Sequence, residues 1–333
     1  MNWKPGSYLT IVVVLASVLC ACKKNSVFAG NEQAQVDSAV NVQGNDQVRI
    51  TSELDAVFND INTVMTSEST IIGARSRPVV RHGVTVAGGP VDTVQTPVCG
   101  AMVTVDVADT PNVIAINYAG NSCDNSRYRL GTVNIYFNPG TVWSTANTTV
   151  GVNFVNVAFA RYKDSAIVYI KGPFYLTNVS GGSLASLSSG AASSIVHSII
   201  GVNIGITYSD ASVATWQVSR LRTYTYNNGL VVSTTGMDSA GGVAHVTEFG
   251  GTRYGNSFIT STNTPLVMTQ ACDFQVTGGQ ALLTNPSGTT SMLFGLDSTG
   301  KAAGCPSAGN TYFYQLSWTG TGANPYSAIL PYY

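Results

Sequence analysis

The sequence predicts an all-β fold, sandwich-like and open to two related sheets, with one N-terminal amphipathic helix. Three observations lead there. Gly, Ser, Thr, Asn and Val dominate the 333 residues, Tyr occurs 16 times, and Leu, Glu and Lys are scarce, which is the composition of strands and turns. Segments such as "VGVNFVNVAFARY", "SAIVYIKG", "VNIGITYSD" and "ATWQVSRLRTYTY" alternate apolar and polar residues or run apolar at strand length, punctuated by Gly, Asn, Asp and Pro. One stretch alone carries a strong helical stripe. Many short strands without helical patterns between them argue for a sandwich or barrel-like stack.

Taken in order, residues 1–21 read as a lipoprotein signal peptide. Lys4 precedes an apolar run, Tyr8 to Leu19, that falls well short of the roughly 20 residues a membrane-spanning helix needs. Leu19-Cys20-Ala21-Cys22 resembles a bacterial lipobox, with the small Ala21 before Cys22 and the aliphatic Leu19 three before it. The resemblance makes Cys22 the lipidated residue and new N-terminus, while Cys20 leaves with the peptide. Two or three acyl chains at ~0.8 kcal/mol per buried CH₂ form a durable anchor. Lys23, where an inner-membrane lipoprotein would carry Asp, implies a lipid-anchored, palmitate-bearing protein of the outer membrane, periplasm-facing or at the cell surface.

Residues 22–50 are polar and aperiodic and read as a flexible tether. Residues 51–84 hold the helix and a linker: Ser52 caps, Asp55 stands three residues on, and Leu54, Val57, Phe58, Ile61, Val64 and Met65 share one face. That stripe is core that docks on the sheet. Residues 85–333 form the all-β domain, with two related lobes as an option. "TPVC…NVIAINYAGNSCDN" is echoed by "TPLVMTQAC…TSMLFGLDSTGKAAGC", and each closing cysteine precedes a strand. Residues 180–198, rich in Ser, Ala and Gly, read as an extended loop.

Four cysteines remain after Cys20 and Cys22, and an exported protein oxidises them. Of three possible connectivities, Cys99–Cys123 and Cys272–Cys305 are favoured because each brackets one copy of the repeat. No pair has the close spacing of structural zinc, and no metal or other cofactor is expected.

Charged residues make up 10% of the chain and the net charge is −1, which leaves no electrostatic basis for nucleic-acid binding. Catalysis finds little to work with. No G-x-S-x-G elbow occurs; of the three histidines, His197 and His245 sit in strand-like apolar runs and His82 in a Pro- and Gly-punctuated stretch. Glu248 is the one glutamate of the β region, whereas glycosidase chemistry needs two carboxylates across a cleft. Aromatic residues offer a binding reading. Trp143, between Pro139-Gly140 and Asn147, stands as the candidate exposed platform for a sugar ring, Trp216 reads as core, and Trp318 and the closing "NPYSAILPYY" add further apolar faces.

The blocks "CGAMVTVDVADTPNVIAINYAGNSCDNSRYRLGTVNIYF", "NFVNVAFARYKDSAIVYIKGPFYLTNVSGG", "ITYSDASVATWQVSRLRTYTYNNG", "GGTRYGNSFITSTNTPLVMTQACDFQVTGGQALLT" and "MLFGLDSTGKAAGC" resemble, in this order, a family of uncharacterised Bacteroidetes outer-membrane lipoproteins. The likeness runs from Pro97 to Cys305 and includes the strand Arg220-Leu221-Arg222-Thr223. It implies a β-rich, exported, lipid-anchored protein and supplies no activity. Asp-Ser or Asp-Thr followed by a small or apolar residue at Ser38, Thr93, Ser165 and Ser239, and the similar Asp297-Ser298-Thr299, resemble the O-glycosylation acceptor of such bacteria. The expectation is a non-enzymatic, lipid-anchored envelope protein with a structural or interaction role, its partners the membrane and an envelope protein or glycan. The alternative is a glycan-binding module or hydrolase acting on envelope or environmental polysaccharide.

Overall fold

The computed structural model describes residues 26–72, 80–81, 84–85, 91–94, 98–106, 110–162, 165–272, 274–303, 305, 312–320 and 324–332. The signal peptide and Cys22 lie outside them. The chain opens with a long helix, α1 (Ser26–Ile72), followed by β1 (Val80–Arg81), β2 (Val84–Thr85), β3 (Val91–Val94), β4 (Ala101–Asp106), β5 (Asn112–Asn121), β6 (Arg127–Phe137), β7 (Thr148–Arg161) and β8 (Ile167–Asn178). A short helix α2 (Leu184–Ser188) precedes β9 (Ile195–Tyr208), β10 (Val213–Tyr226), β11 (Leu230–Gly236), β12 (Asp238–Ala240) and β13 (Val243–Gly251). The remaining strands are β14 (Ser257–Thr269), β15 (Val276–Asn285), β16 (Gly288–Leu296), β17 (Phe313–Gly320) and β18 (Tyr326–Pro331).

The all-β class with one long N-terminal helix is what the structure has. All strands but β1 and β2 join one antiparallel sheet of 16, in the order β18-β17-β16-β15-β14-β11-β10-β9-β8-β7-β6-β5-β4-β3. Strand β13 takes the place of β11 beside the first half of β10, so one lane of the sheet is filled by two strands end to end. The option of two related sheets gives way to a single continuous sheet, and the two copies of the repeat are parts of it. Within each copy one disulfide clasps one hairpin: Cys99–Cys123 closes around β4 and β5, and Cys272–Cys305 around β15 and β16.

The sheet curls around α1. Tyr332, just past β18, hydrogen-bonds Ser52 on the helix, while Arg127 on β6 reaches Glu53 beside it. Ten lanes separate β6 from β18. At ~4.8 Å per lane a flat sheet would hold them ~48 Å apart. Alternation explains why the wrap is stable: on β10, Ala214, Trp216, Val218, Arg220, Arg222 and Tyr224 point inward and are buried, and the residues between them face out.

Helix α1 extends well beyond the stripe read from the sequence. Residues 26–50, expected as a flexible tether, are helical, and from Gly44 to Met65 no residue of the helix is exposed, the half-buried Ala56, Asn59, Asp60 and Thr63 lying along one face. Runs of four consecutive buried residues, 47–50 and 52–55, cover nearly a full turn each. Its polarity misled the sequence reading because Asn41, Gln43, Asn45 and Gln47 bond to the sheet instead of to water. Asn41 Nδ2 donates to Tyr326 Oη, Tyr314 Oη donates to Asn45 Oδ1 at 2.7 Å, and Asn285 Nδ2 donates to Gln43 Oε1 at 2.8 Å. The expected loop at 180–198 contains α2, whose Ser183 and Ser186 form a reciprocal capping box. Among the described residues no helix is long and apolar enough to cross a membrane.

Candidate functional site

Chemistry-bearing side chains gather where the sheet interior meets α1. The helix carries seven acidic residues and one basic, Arg49. The sheet answers with arginines. Arg127 and Arg129 on β6, and Arg220 and Arg222 on β10, sit two residues apart, so each pair projects to the same inner face as its apolar neighbours.

Three acids of the buried helix segment, Glu53, Asp55 and Asp60, meet them. Glu53 Oε2 accepts from Arg127 Nη1 at 2.6 Å, and Asp60 Oδ2 accepts from Arg129 Nη1 at 2.6 Å and from Tyr118 Oη at 2.9 Å. Asp55 Oδ1 binds both Arg220, at 2.8 Å, and Arg222. Glu248 on β13 takes the other edge of the Arg220 guanidinium and accepts from Thr247 Oγ1 and Gln47 Nε2. Arg220 and Arg222 are among the largest fully buried side chains of the described residues.

The electrostatics follow from this pairing. Burial alone lowers the pKa of Arg127 and Arg222, but Glu53 and Asp55 beside them hold both above the ordinary arginine value. Burial raises Asp60 despite Arg129, and it raises Tyr118 further with the help of Asp60. Closer to the helix N-terminal half, Asp46 pairs with Arg253 at 2.8 Å, and desolvation lifts its pKa to about 6 against that attraction. Arg253 lies over the Tyr208 ring at 4.4 Å and also reaches Asp210.

The residues singled out from the sequence fall into two groups. Both disulfides pair as expected. Trp143, expected as an exposed platform, is instead 3% exposed. Its turn folds back over the sheet end, where Asn178 Nδ2 donates to Trp143 O at 2.9 Å and Gly182 N donates to Ser144 O at 2.8 Å. The indole lies edge-on to His197, ring centres 5.0 Å apart, and the His197 ring packs tilted against Tyr224, centres 4.8 Å apart. Trp216 and Trp318 are buried too, and Tyr332 of the closing segment is core. None of the tryptophans among the described residues offers a sugar-stacking face. His245 is exposed at a bulge between β12 and β13, with φ of 56°.

Of the acceptor-like residues, Ser38, Ser165, Ser239 and Ser298 are exposed; Thr93 lies in edge strand β3, its side chain outside the described set. Cys22, Cys20 and His82 lie outside the described residues, as do Arg75 and Arg77. Among the described residues no group of three or more His, Cys, Asp and Glu is placed to hold a metal ion.

The helix–sheet charge lattice was not anticipated, although the sequence holds a signal for it. Arg127 and Arg129 share strand parity with Val133 and Ile135, and Arg220 and Arg222 with Trp216 and Val218, so the alternation that marks core also marks these arginines as inward. What the lattice does chemically is hold: its acids and bases are spent on one another, deep inside the wrap. No family model matches the chain, and neither does any curated protein or solved structure.

Proposed function

We propose that this chain is a non-enzymatic protein of the cell envelope, held in the outer membrane by lipid on Cys22 and serving as a structural or interaction element. The observation that carries this reading is the inward direction of its ionisable groups. Asp55, Glu248, Arg220 and Arg222 are engaged between helix and sheet and reach no cleft, whereas a hydrolase must present its acid and base to substrate. The glycan alternative rested on Trp143, which is core.

The helix sharpens how an anchored protein of this kind would stand. Ser26 opens α1 four residues after Cys22, so lipid and folded body are joined by helix in place of a long coil. From Ser26 to Val36, the first side chain of α1 seen packing on the core, the helix rises about 15 Å. The body would be carried at a set distance from the bilayer, displaying the outer face of the sheet. On that face Tyr175 on β8 pairs with Ile200 on β9, 52% and 43% exposed, a place for a partner to touch.

Photo-crosslinking from position 175 in intact cells tests the interaction role. A discrete adduct with an envelope protein that is absent from a probe at buried Phe174 is the expected result. Sugar binding by the purified protein on a glycan array, or turnover of a polysaccharide, would sink it.

A further inference from the structure

A small cavity lies between α1 and the part of the sheet formed by β10, β11, β13 and β14, with ≈ 20 Å³ open to the centre of a water molecule. Its polar wall includes Gln47 from the helix and Arg220, Thr234, Glu248 and Thr260 from the sheet, and Leu266 with Ala281 of β15 and Met292 and Phe294 of β16 closes it with apolar groups. Three of these have a polar atom without a hydrogen-bond partner: Gln47 Oε1, Thr234 Oγ1 and Thr260 Oγ1. All three residues are at most 3% exposed. A buried polar atom left unpaired costs about 1–3 kcal/mol, and here three residues of one cavity wall each carry one.

We infer that this cavity is a binding site for one structural water molecule that ties α1 to β11 and β14. Size and valence agree on the occupant. A site of this kind needs roughly 10–15 Å³ to hold a water, and a buried water makes about three hydrogen bonds. Gln47 Oε1 only accepts, so the occupant must donate to it, which a halide or other bare anion does not do. A metal cation would meet the Arg220 guanidinium in the same wall, and Glu248 is already shared among Arg220, Thr247 and Gln47. Water donates to Gln47 and to one threonine while accepting from the other. Its role is positional. Gln47 Nε2 is held by Glu248 and Thr51. With the water on Oε1, both ends of the amide are fixed and the helix has one rotation and one height.

The sign of a stability change tests this. Thr234→Val and Thr260→Val keep the shape of the side chain and remove the hydroxyl. With a water in place, each loses a hydrogen bond and the thermal midpoint of the full-length protein falls, by about 2 °C or more. In a dry cavity each variant sheds an unsatisfied group, so an unchanged or raised midpoint overturns the inference. A crystal structure of the unaltered protein gives the independent reading: a density peak within hydrogen-bonding distance of Gln47 Oε1, Thr234 Oγ1 and Thr260 Oγ1 supports the site, and featureless density there overturns it.

Discussion

His197 and Asp46 are buried ionisable residues whose pKa values move in opposite senses. Burial, with Arg222 nearby, pushes His197 down to about 3, so it is neutral in the fold and charged only when unfolded below pH 6.5. Between those limits the unfolded chain binds more protons, and the stability His197 permits at neutral pH is lost as pH falls. Asp46 is the reverse. With its folded pKa lifted to about 6 above an unfolded 3.8, the folded state takes up the proton first, and Asp46 adds stability as pH falls from 6 to 4. Against the unaltered protein, His197→Gln should therefore gain in urea midpoint as pH falls from 6.5 toward 4, and Asp46→Asn should lose as pH falls from 6 to 4; parallel profiles for all three proteins would refute the assignment. Asp55→Asn leaves Arg222 buried without its carboxylate and should cost about 3–5 kcal/mol by denaturant unfolding. The residue-level reading of the sequence failed at Trp143 because Pro139-Gly140 marks a turn without saying whether the turn stands out or folds back. It held for Trp216, where strand parity decided.

Helix α1 is the element that the sheet is built around, and Gly44 is a point where the two come close. A Cβ there would run into the buried Leu316 of β17. Gly44→Val should destabilise by about 1–3 kcal/mol through overpacking, although glycine is the poorer helix former and the same change on a free helix face would help. A stable or stabilised variant would show that helix and β17 do not meet so closely. Val36, Val40, Gly44 and Val48 recur every four residues, a stripe that could have extended the helix in the sequence reading. It was masked by Asn41, Gln43, Asn45, Asp46 and Gln47, polar residues that usually signal solvent and here find partners on β13, β15, β17, β18 and Arg253. A helix whose polar residues bond to a surrounding sheet loses the amphipathic contrast on which periodicity depends. The hydrophobic segment Leu54–Met65 was legible because its partners, Phe154 and Phe174 against Phe58, are apolar in the ordinary way.

At the scale of the molecule, the sheet presents its apolar side to the helix and its polar side outward. The outer residues of β10 are Val213, Thr215, Gln217, Ser219, Leu221, Thr223 and Thr225, mostly polar, and hydroxyls pair across neighbouring strands as at Thr149 and Thr177, 2.8 Å apart. A membrane-spanning barrel has the inverse pattern, an apolar outer band around a polar interior. The period-two alternation was therefore enough to give the all-β class, but it says nothing about closure: whether strands stack as two sheets or curl as one depends on what fills the middle, and the filler was the segment read as a tether. The two disulfides then brace the ends of the wrap, one around β4 and β5 and the other around β15 and β16, and opening either is expected to cost about 3 kcal/mol for loops of 24 and 33 residues. The outward polarity bears on attachment. If acylation of Cys22 is the sole hold on the membrane, Cys22→Ala should release the folded protein into the aqueous fraction of lysed cells, with no detergent needed and the same far-UV spectrum after purification. Cys20→Ala should leave it membrane-bound and labelled by palmitate. A Cys22→Ala protein that stays with the bilayer through a high-salt wash would mean that the sheet surface itself holds on, and the hydroxyl-rich face argues against that.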